Sequence, residues 1–297
     1  MNNVTKAPGA AEPWTIKRLL DWTTTFLAQK GAETPLLDTQ VLLSHALGCK
    51  KIDLYTRHDD IVSEVDRATF RDLIRRRIEG CPVAYLVGRK EFFSLELEVG
   101  PAVLIPRPDT ETVVDECLRQ AKGMTEPEVL DIGTGSGCLA VAVARQHRTA
   151  RVTAIDISGD ALAVAVRNAA RHDVGNRIRF LQGDVYTPLA MAERFDFILS
   201  NPPYIRHADL ATLMPGVRDY EPHIALDGGD DGFAVFDRIV AELPTRLRPG
   251  GHVFLEIGTA QEEPGRYRLS RIPGLELART VYDGSGHPRV LHARKVG

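Results

Sequence analysis

The stretch Asp196–Tyr204, DFILSNPPY, joins a short apolar run to four residues with a specific chemical capacity. Phe197, Ile198 and Leu199 have the pattern of a central strand in a parallel sheet, which puts Asn201, Pro202, Pro203 and Tyr204 at its carboxyl edge. That edge is where open α/β sheets bind ligands. The two prolines fix φ and remove two backbone donors, so the turn presents carbonyl oxygens with few competing N–H groups. Asn201 adds a side-chain carbonyl and Tyr204 a flat aromatic face. Such a pocket suits a planar group with two N–H donors, a carboxamide or an exocyclic amino group. An ordinary Pro-Pro turn after a strand has the same letters, so the reading depends on its surroundings.

A second stretch supplies them. Glu128–Ile132 reads as a strand running into Gly133, Thr134, Gly135, Ser136 and Gly137, with a helix opening near Cys138. Glycines let the backbone turn sharply and approach a ligand closely, and a helix N-terminus offers unpaired N–H groups. The next strand ends at Asp156, where an acidic group takes ribose hydroxyls. The one after leads to Asp184 and Val185: a carboxylate that can accept from an adenine amino group and an apolar side chain that can cover the ring. Each aspartate alone also suits a helix or turn cap. The glycine run is DIGTGSG rather than the GxGxxG of a pyrophosphate cradle, and no Walker-type GK[ST] is present. A nucleoside without phosphates fits better. S-adenosylmethionine, with its adenosine held by Asp156 and Asp184, would direct its sulfonium methyl toward the edge that carries Asn201–Tyr204.

The elements that must position these residues follow from the pattern of the whole chain. Strands expected at 128–132, 151–156, 177–182, 195–200, 251–257, 275–282 and 289–294 alternate with helices, the signature of a doubly wound, mostly parallel α/β sheet. Asp283-Gly284-Ser285-Gly286 is too short for a crossover helix, so the last strand is expected to run antiparallel. Residues 1–12 read as a frayed end. Residues 13–80 read as helices, with stops at Gly31 and Gly48 and a third helix over 63–78 bearing Arg67, Arg71, Arg75, Arg76 and Arg77. Such an arginine run is more often a solvated face than a binding surface. Alternation from Phe93 to Val99, then Gly100-Pro101 and Ala102–Ile105, reads as a β-hairpin. The expected organisation is therefore a helical domain over 1–90, a hairpin linker over 91–108 and a cofactor-binding domain over 109–297. Asp109-Thr110 is placed as the cap of the helix that opens the last domain.

Composition limits the partners. The 297 residues are 43% hydrophobic with a net charge of −3, so no broad basic face is expected to track a nucleic-acid backbone. Four scattered cysteines without a CxxC pair read as buried thiols in a reducing compartment, and no histidine has metal-site spacing, so no metal is expected. No membrane-spanning run or signal-peptide core is evident, which places the expected protein in the cytoplasm.

PVAYLVGRKEFF (82–93), IPRPDTE (105–111), DIGTGSG (131–137), SNPPYI (200–205) and VRDYEPHIALDGGDDG (217–232), with Asp156 and Asp184, resemble the HemK family of peptide chain release factor glutamine N5-methyltransferases over nearly the whole chain. The resemblance implies a Rossmann-like class I methyltransferase, S-adenosyl-L-methionine as methyl donor, and a class I release factor as partner. The acceptor it implies is the glutamine of the Gly-Gly-Gln loop. Asn201, Pro202 and Tyr204 are then the catalytic set, and Asn201–Tyr204 the substrate pocket. Gly133, Thr134, Gly135, Ser136, Gly137, Asp156, Asp184, Val185 and Asn201 form the cofactor set. A monomer is expected, with the helical domain meeting the partner. Arg107 and the long 217–232 loop are expected beside the site. Pro264-Gly265 interrupts 261–270, where relatives carry a helix, so none is expected there. Three other functions compete: glutamine methylation of a ribosomal protein, N6-methylation of adenine in DNA, and non-catalytic adenosylmethionine binding. The DNA reading requires base flipping and a positive channel.

Overall fold

The computed structural model describes residues 13–297, so the frayed end expected over 1–12 lies outside the described residues. The chain divides into two compact units between Val87 and Gly88. The first unit is helical. It contains α1 (Ile16–Gln29), α2 (Pro35–Ala46), α3 (Asp53–Thr56), α4 (Glu64–Ile78) and α5 (Val83–Val87). The Thr15 and Ser63 hydroxyls cap α1 and α4 by accepting from Arg18 and Asp66 N–H. Thr34 instead donates to Asp38, whose other oxygen takes Arg77 at 2.8 Å. Most of the α4 arginines are spent locally: Arg67 and Arg71 on Glu64, and Arg75 on Asp72 and Glu79. This is the pattern of a solvated face, where each pair contributes little to stability.

The second unit opens with the hairpin of β1 (Arg89–Phe92) and β2 (Leu95–Glu98), paired Phe92 to Leu95. Its turn is Phe93-Ser94, both at positive φ, not the Gly100-Pro101 step expected from sequence. Two consecutive left-handed residues give the twist a two-residue hairpin needs, and here no glycine advertised it. Residues 102–105 accordingly form no strand. The hairpin is fastened to the rest of the second unit. Asn168 accepts from the Glu98 N–H and donates to its carbonyl, and Arg167 pairs with the Glu98 carboxylate at 2.7 Å.

After α6 (Glu111–Gln120) come β3 (Glu128–Ile132), α7 (Cys138–Gln146), β4 (Arg151–Asp156), α8 (Gly159–Arg171), β5 (Ile178–Gln182), β6 (Phe195–Ser200), the short α9 (Pro215–Arg218) and α10 (Ala234–Arg246). The chain ends with β7 (Leu247–Glu256), α11 (Glu262–Ser270), β8 (Leu275–Tyr282) and β9 (Pro288–Lys295). The strand order is β5-β4-β3-β6-β7-β9-β8, parallel through β7, with β9 antiparallel to both β7 and β8. Apolar residues on successive positions serve opposite faces. Phe197 and Leu199 pack with α6 and α7 residues, while Ile198 packs with Phe236, Ile239 and Leu243 of α10. A strand covered on both sides reads as a continuous apolar run, which is why β6 was visible in the sequence.

Helix α11 contradicts the loop expected over 261–270. Pro264 occupies its first turn, where a missing N–H breaks no helical hydrogen bond. Gly265 lets the helix sit on the sheet, since a Cβ there would stand 2.5 Å from Leu291 Cδ1.

Candidate active site

The order of strands puts the two chemical stretches side by side. The sheet reverses direction of growth between β3 and β6, so the glycine turn after β3 and Asn201–Tyr204 after β6 flank the switch-point crevice. A cavity of about 540 Å³ opens there, within the usual range of small-ligand sites, roughly 300–1,000 Å³. Its wall includes Gly133, Thr134, Gly135, Ser136, Asp156, Asp184, Val185, Asn201 and Pro203. Gly137, Pro202 and Tyr204 stand off the wall. Gly137 is the left-handed residue at the start of α7, where an added Cβ would stand 3.0 Å from Ala165 Cβ.

The glycine turn is built for close approach. Gly133 and Gly135 have φ of +73° and +55°; a Cβ added at Gly133 would meet nothing within 4 Å, and one at Gly135 only the Gly133 oxygen at 4.0 Å. Asp156 holds the turn with both oxygens, accepting from Gly135 N–H at 2.8 Å and Ser158 N–H at 2.9 Å. Burial raises its pKa, and these amides hold it down. Behind the turn, buried Asp131 accepts from the Thr134 hydroxyl at 2.6 Å and the Ala140 N–H at 3.2 Å. Val185 is buried at φ 53°, an outlier for a β-branched residue that only a committed loop sustains. The Asp184 carboxylate, read from sequence as an acceptor for an adenine amino group, pairs with Arg238 of α10 at 2.5 Å. Arg238 also lines the cavity and carries no sequence signal linking it to Asp184. These features fit an adenosine-bearing ligand: an open glycine cradle, two carboxylates and an apolar side chain beside them.

At the other edge, Asn201 Nδ2 donates to the Thr110 hydroxyl at 3.1 Å, and Oδ1 makes no hydrogen bond among the described residues. The residues expected to cap α6 are thus used otherwise, Thr110 for Asn201 and Asp109 in a 2.9 Å ion pair with Arg289. The 217–232 loop straps the Asn201–Tyr204 turn from outside. Ile205 exchanges backbone hydrogen bonds with Leu226 and Gly228, and Gln261 Nε2 donates to the Tyr204 carbonyl. Gly228 and Gly232 lie so close that a Cβ would stand 2.8 Å from the Pro203 oxygen and 2.5 Å from the Tyr204 oxygen, respectively. Arg107 reaches from IPRPDTE to Glu221 of the loop at 2.6 Å, and the same carboxylate accepts from Ile105 N–H. Glu221 is buried, and this pair ties the two motifs together. Tyr204, pushed up to about 12 by burial, is a neutral phenol and no base near neutrality.

Glu256, at the end of β7, is 1% exposed. Burial pushes its carboxyl up to about 7, partly offset by the polar Thr110 side chain. The folded protein therefore holds a proton that the unfolded chain releases near pH 4. This contribution to stability is complete below that pH and is lost as pH rises through about 7, a swing of roughly 3 kcal/mol. The Glu256→Gln variant is expected to gain stability relative to wild type by that order between pH 4.5 and 8, read from urea midpoints at both values. Equal differences at the two pH values would contradict it.

Family models described as "PrmC N-terminal domain" and "Methyltransferase small domain" match residues 18–88 and 110–214. A release factor glutamine methyltransferase of Rhodopirellula baltica is 42% identical over 95% of this chain and 97% of its own. One from Geobacter sulfurreducens is 45% identical over 95% and 98%. A solved methyltransferase from Pyrococcus furiosus has the same fold, with a TM-score of 0.52 at 20% identity over 75% of this chain and 98% of that one. With both units matched and the relatives aligned from end to end, the chain belongs to the release factor glutamine methyltransferases.

Proposed function

We propose that the protein transfers a methyl group from S-adenosyl-L-methionine to the side-chain amide nitrogen, N5, of the glutamine in the Gly-Gly-Gln loop of a class I release factor. The observation that carries this reading is the placement of Asn201, with its amide nitrogen spent on Thr110 and its oxygen free, across the switch-point crevice from the glycine turn. Bound at the glycine turn, the cofactor supplies an electrophilic methyl on a sulfonium.

The chain's own residues must then make an amide nitrogen reactive, although its lone pair is delocalised into the carbonyl. Asn201 Oδ1 and the Pro202 carbonyl accept its two N–H bonds and so fix its direction of approach. Among the described residues neither oxygen is engaged in a hydrogen bond; Asn201 lines the cavity, while Pro202 is buried beside it in sequence. As methyl transfer proceeds, positive charge develops on the nitrogen, and these two acceptors face it without reorganising. Tyr204 packs against the flat amide. No strong base need act first, since the N–H groups become acidic only as the new bond forms, and the proton leaves late to water. The loop containing Glu221 and the segment containing Arg107 hold the turn in place and keep bulk water from its outer side. The helical unit is the part left to recognise the release factor, because cofactor and amide are both accounted for by the second unit. Mass spectrometry of the reacted release factor is expected to place a single added methyl on the loop glutamine side chain. A methyl on any other residue would refute the assignment.

A further inference from the structure

The closing peptide of the glycine turn is held from behind by one side chain. Ser136 lines the cavity and is buried, and its carbonyl is turned to α8, where it accepts from Asn168 Nδ2 at 2.8 Å. The N–H of the same peptide, on Gly137, donates to the Thr134 carbonyl at 2.8 Å. Positions 161, 165 and 168 share one face of α8, and all three serve the turn. Ala161 lines the cavity, Ala165 Cβ stands 3.0 Å from where a Cβ on Gly137 would be, and Asn168 takes Ser136.

Asn168 is 0% exposed, and every polar atom of its side chain is used. Nδ2 also donates to the Glu98 carbonyl at 3.0 Å, and Oδ1 accepts from the Glu98 N–H at 2.6 Å. Two donors and one acceptor meet two carbonyls and one N–H, which fixes the amide in one orientation. Glu98 ends the hairpin strand β2, so a single side chain joins the hairpin to the cofactor turn. An ionised aspartate of the same shape has no donor for either carbonyl, and an alanine leaves three buried backbone groups unpaired, which is costly. The Ser136 oxygen finds relief most directly by rotating toward the cavity, and Gly137, at φ +81°, permits the rotation. A carbonyl turned inward takes space that the cofactor needs.

We propose that Asn168 is a positioning residue for S-adenosylmethionine binding: it keeps the Ser136–Gly137 peptide out of the cavity and makes the glycine turn and the Glu98 end of the hairpin order together. This rests on the reading of the glycine turn as the cofactor cradle given above. Because one amide serves both segments, a ligand that steadies the turn also steadies the hairpin, and by linkage a loosened hairpin end weakens the ligand. Arg167 holds Glu98 too, but all its hydrogen bonds go to the exposed carboxylate.

The test uses the full chain and compares wild type with Asn168→Asp, Asn168→Ala and Arg167→Ala. S-adenosylhomocysteine affinity, KM for S-adenosylmethionine, kcat at saturating cofactor with a release factor substrate, and melting temperature are measured. Amide hydrogen exchange is followed over 89–98 and 131–137 with and without S-adenosylhomocysteine. In wild type the ligand is expected to slow exchange in both segments. Both Asn168 variants are expected to lose about tenfold or more in affinity, with kcat at saturation within a few-fold, and to lose the effect of the ligand on 89–98. Arg167→Ala is expected to bind like wild type. Asn168 variants with a lowered melting temperature but wild-type affinity would overturn the proposal, since the residue would then serve the fold alone. So would a wild-type hairpin whose exchange ignores the ligand, a result that needs neither variant to fold. If the ligand binds without protecting 131–137, the reading of the glycine turn falls as well.

Discussion

Replacing Asn201 by alanine is expected to lower kcat for methyl transfer by about 10²–10³-fold while S-adenosylmethionine affinity stays within a few-fold. The side chain stands on the cavity wall, part-buried, with Nδ2 tied to Thr110 and Oδ1 free. Removing it takes away an acceptor aimed at charge that exists only in the transition state, so the loss belongs to kcat rather than to binding. Single-turnover kinetics at saturating cofactor measure it. A near-normal rate with intact cofactor binding would mean that the amide is oriented by something other than Asn201.

The second large effect is expected from a residue that touches no substrate. Gly232 has φ +82°, and a Cβ there would stand 2.5 Å from the Tyr204 oxygen and 2.6 Å from Gln261 Nε2. Gln261 is itself the donor to that Tyr204 oxygen and to the Gly232 carbonyl. An alanine must push the Asn201–Tyr204 turn or its support aside, and a displacement of about 1 Å at a reacting group can cost 10²-fold in rate. Gly232→Ala is expected to lose about 10–10²-fold in kcat. Gly274→Ala is the control. It has nearly the same backbone conformation, φ +76°, with nothing within 4 Å of an added Cβ. It should keep its activity while showing the ordinary strain of a left-handed alanine. Equal activity of the two variants would show that the close contact does not position the turn.

What the sequence disclosed follows the range of the interactions involved. The strands of the parallel sheet are short apolar runs ended by Gly, Asp or Asn, and their limits are set within a few residues of chain. The glycine turn and Asn201–Tyr204 are equally local, because each needs particular φ values or particular acceptors in succession. The pairs that brace the site are not local. Arg107 and Glu221 are separated by 114 positions, and Thr110 and Asn201 by 91. They meet only once the strand order is fixed, so no spacing marks them. Glu256 looks like the last letter of an apolar strand, and Arg238 like any surface arginine of a helix. The hairpin turn at Phe93-Ser94 carries none of the residues that usually mark positive φ. Pro264 misled because proline opposes a helix interior but not its first turn.

In the proposed reaction Asn201–Tyr204 receives the amide of a release factor glutamine. The direct measurement is methyl transfer from labelled S-adenosylmethionine, with a release factor, its Gln→Ala loop variant, a ribosomal protein and DNA offered in parallel. Label is predicted on the release factor alone and absent from the loop variant. Label that persists in the loop variant, or that appears on DNA or the ribosomal protein instead, would contradict it.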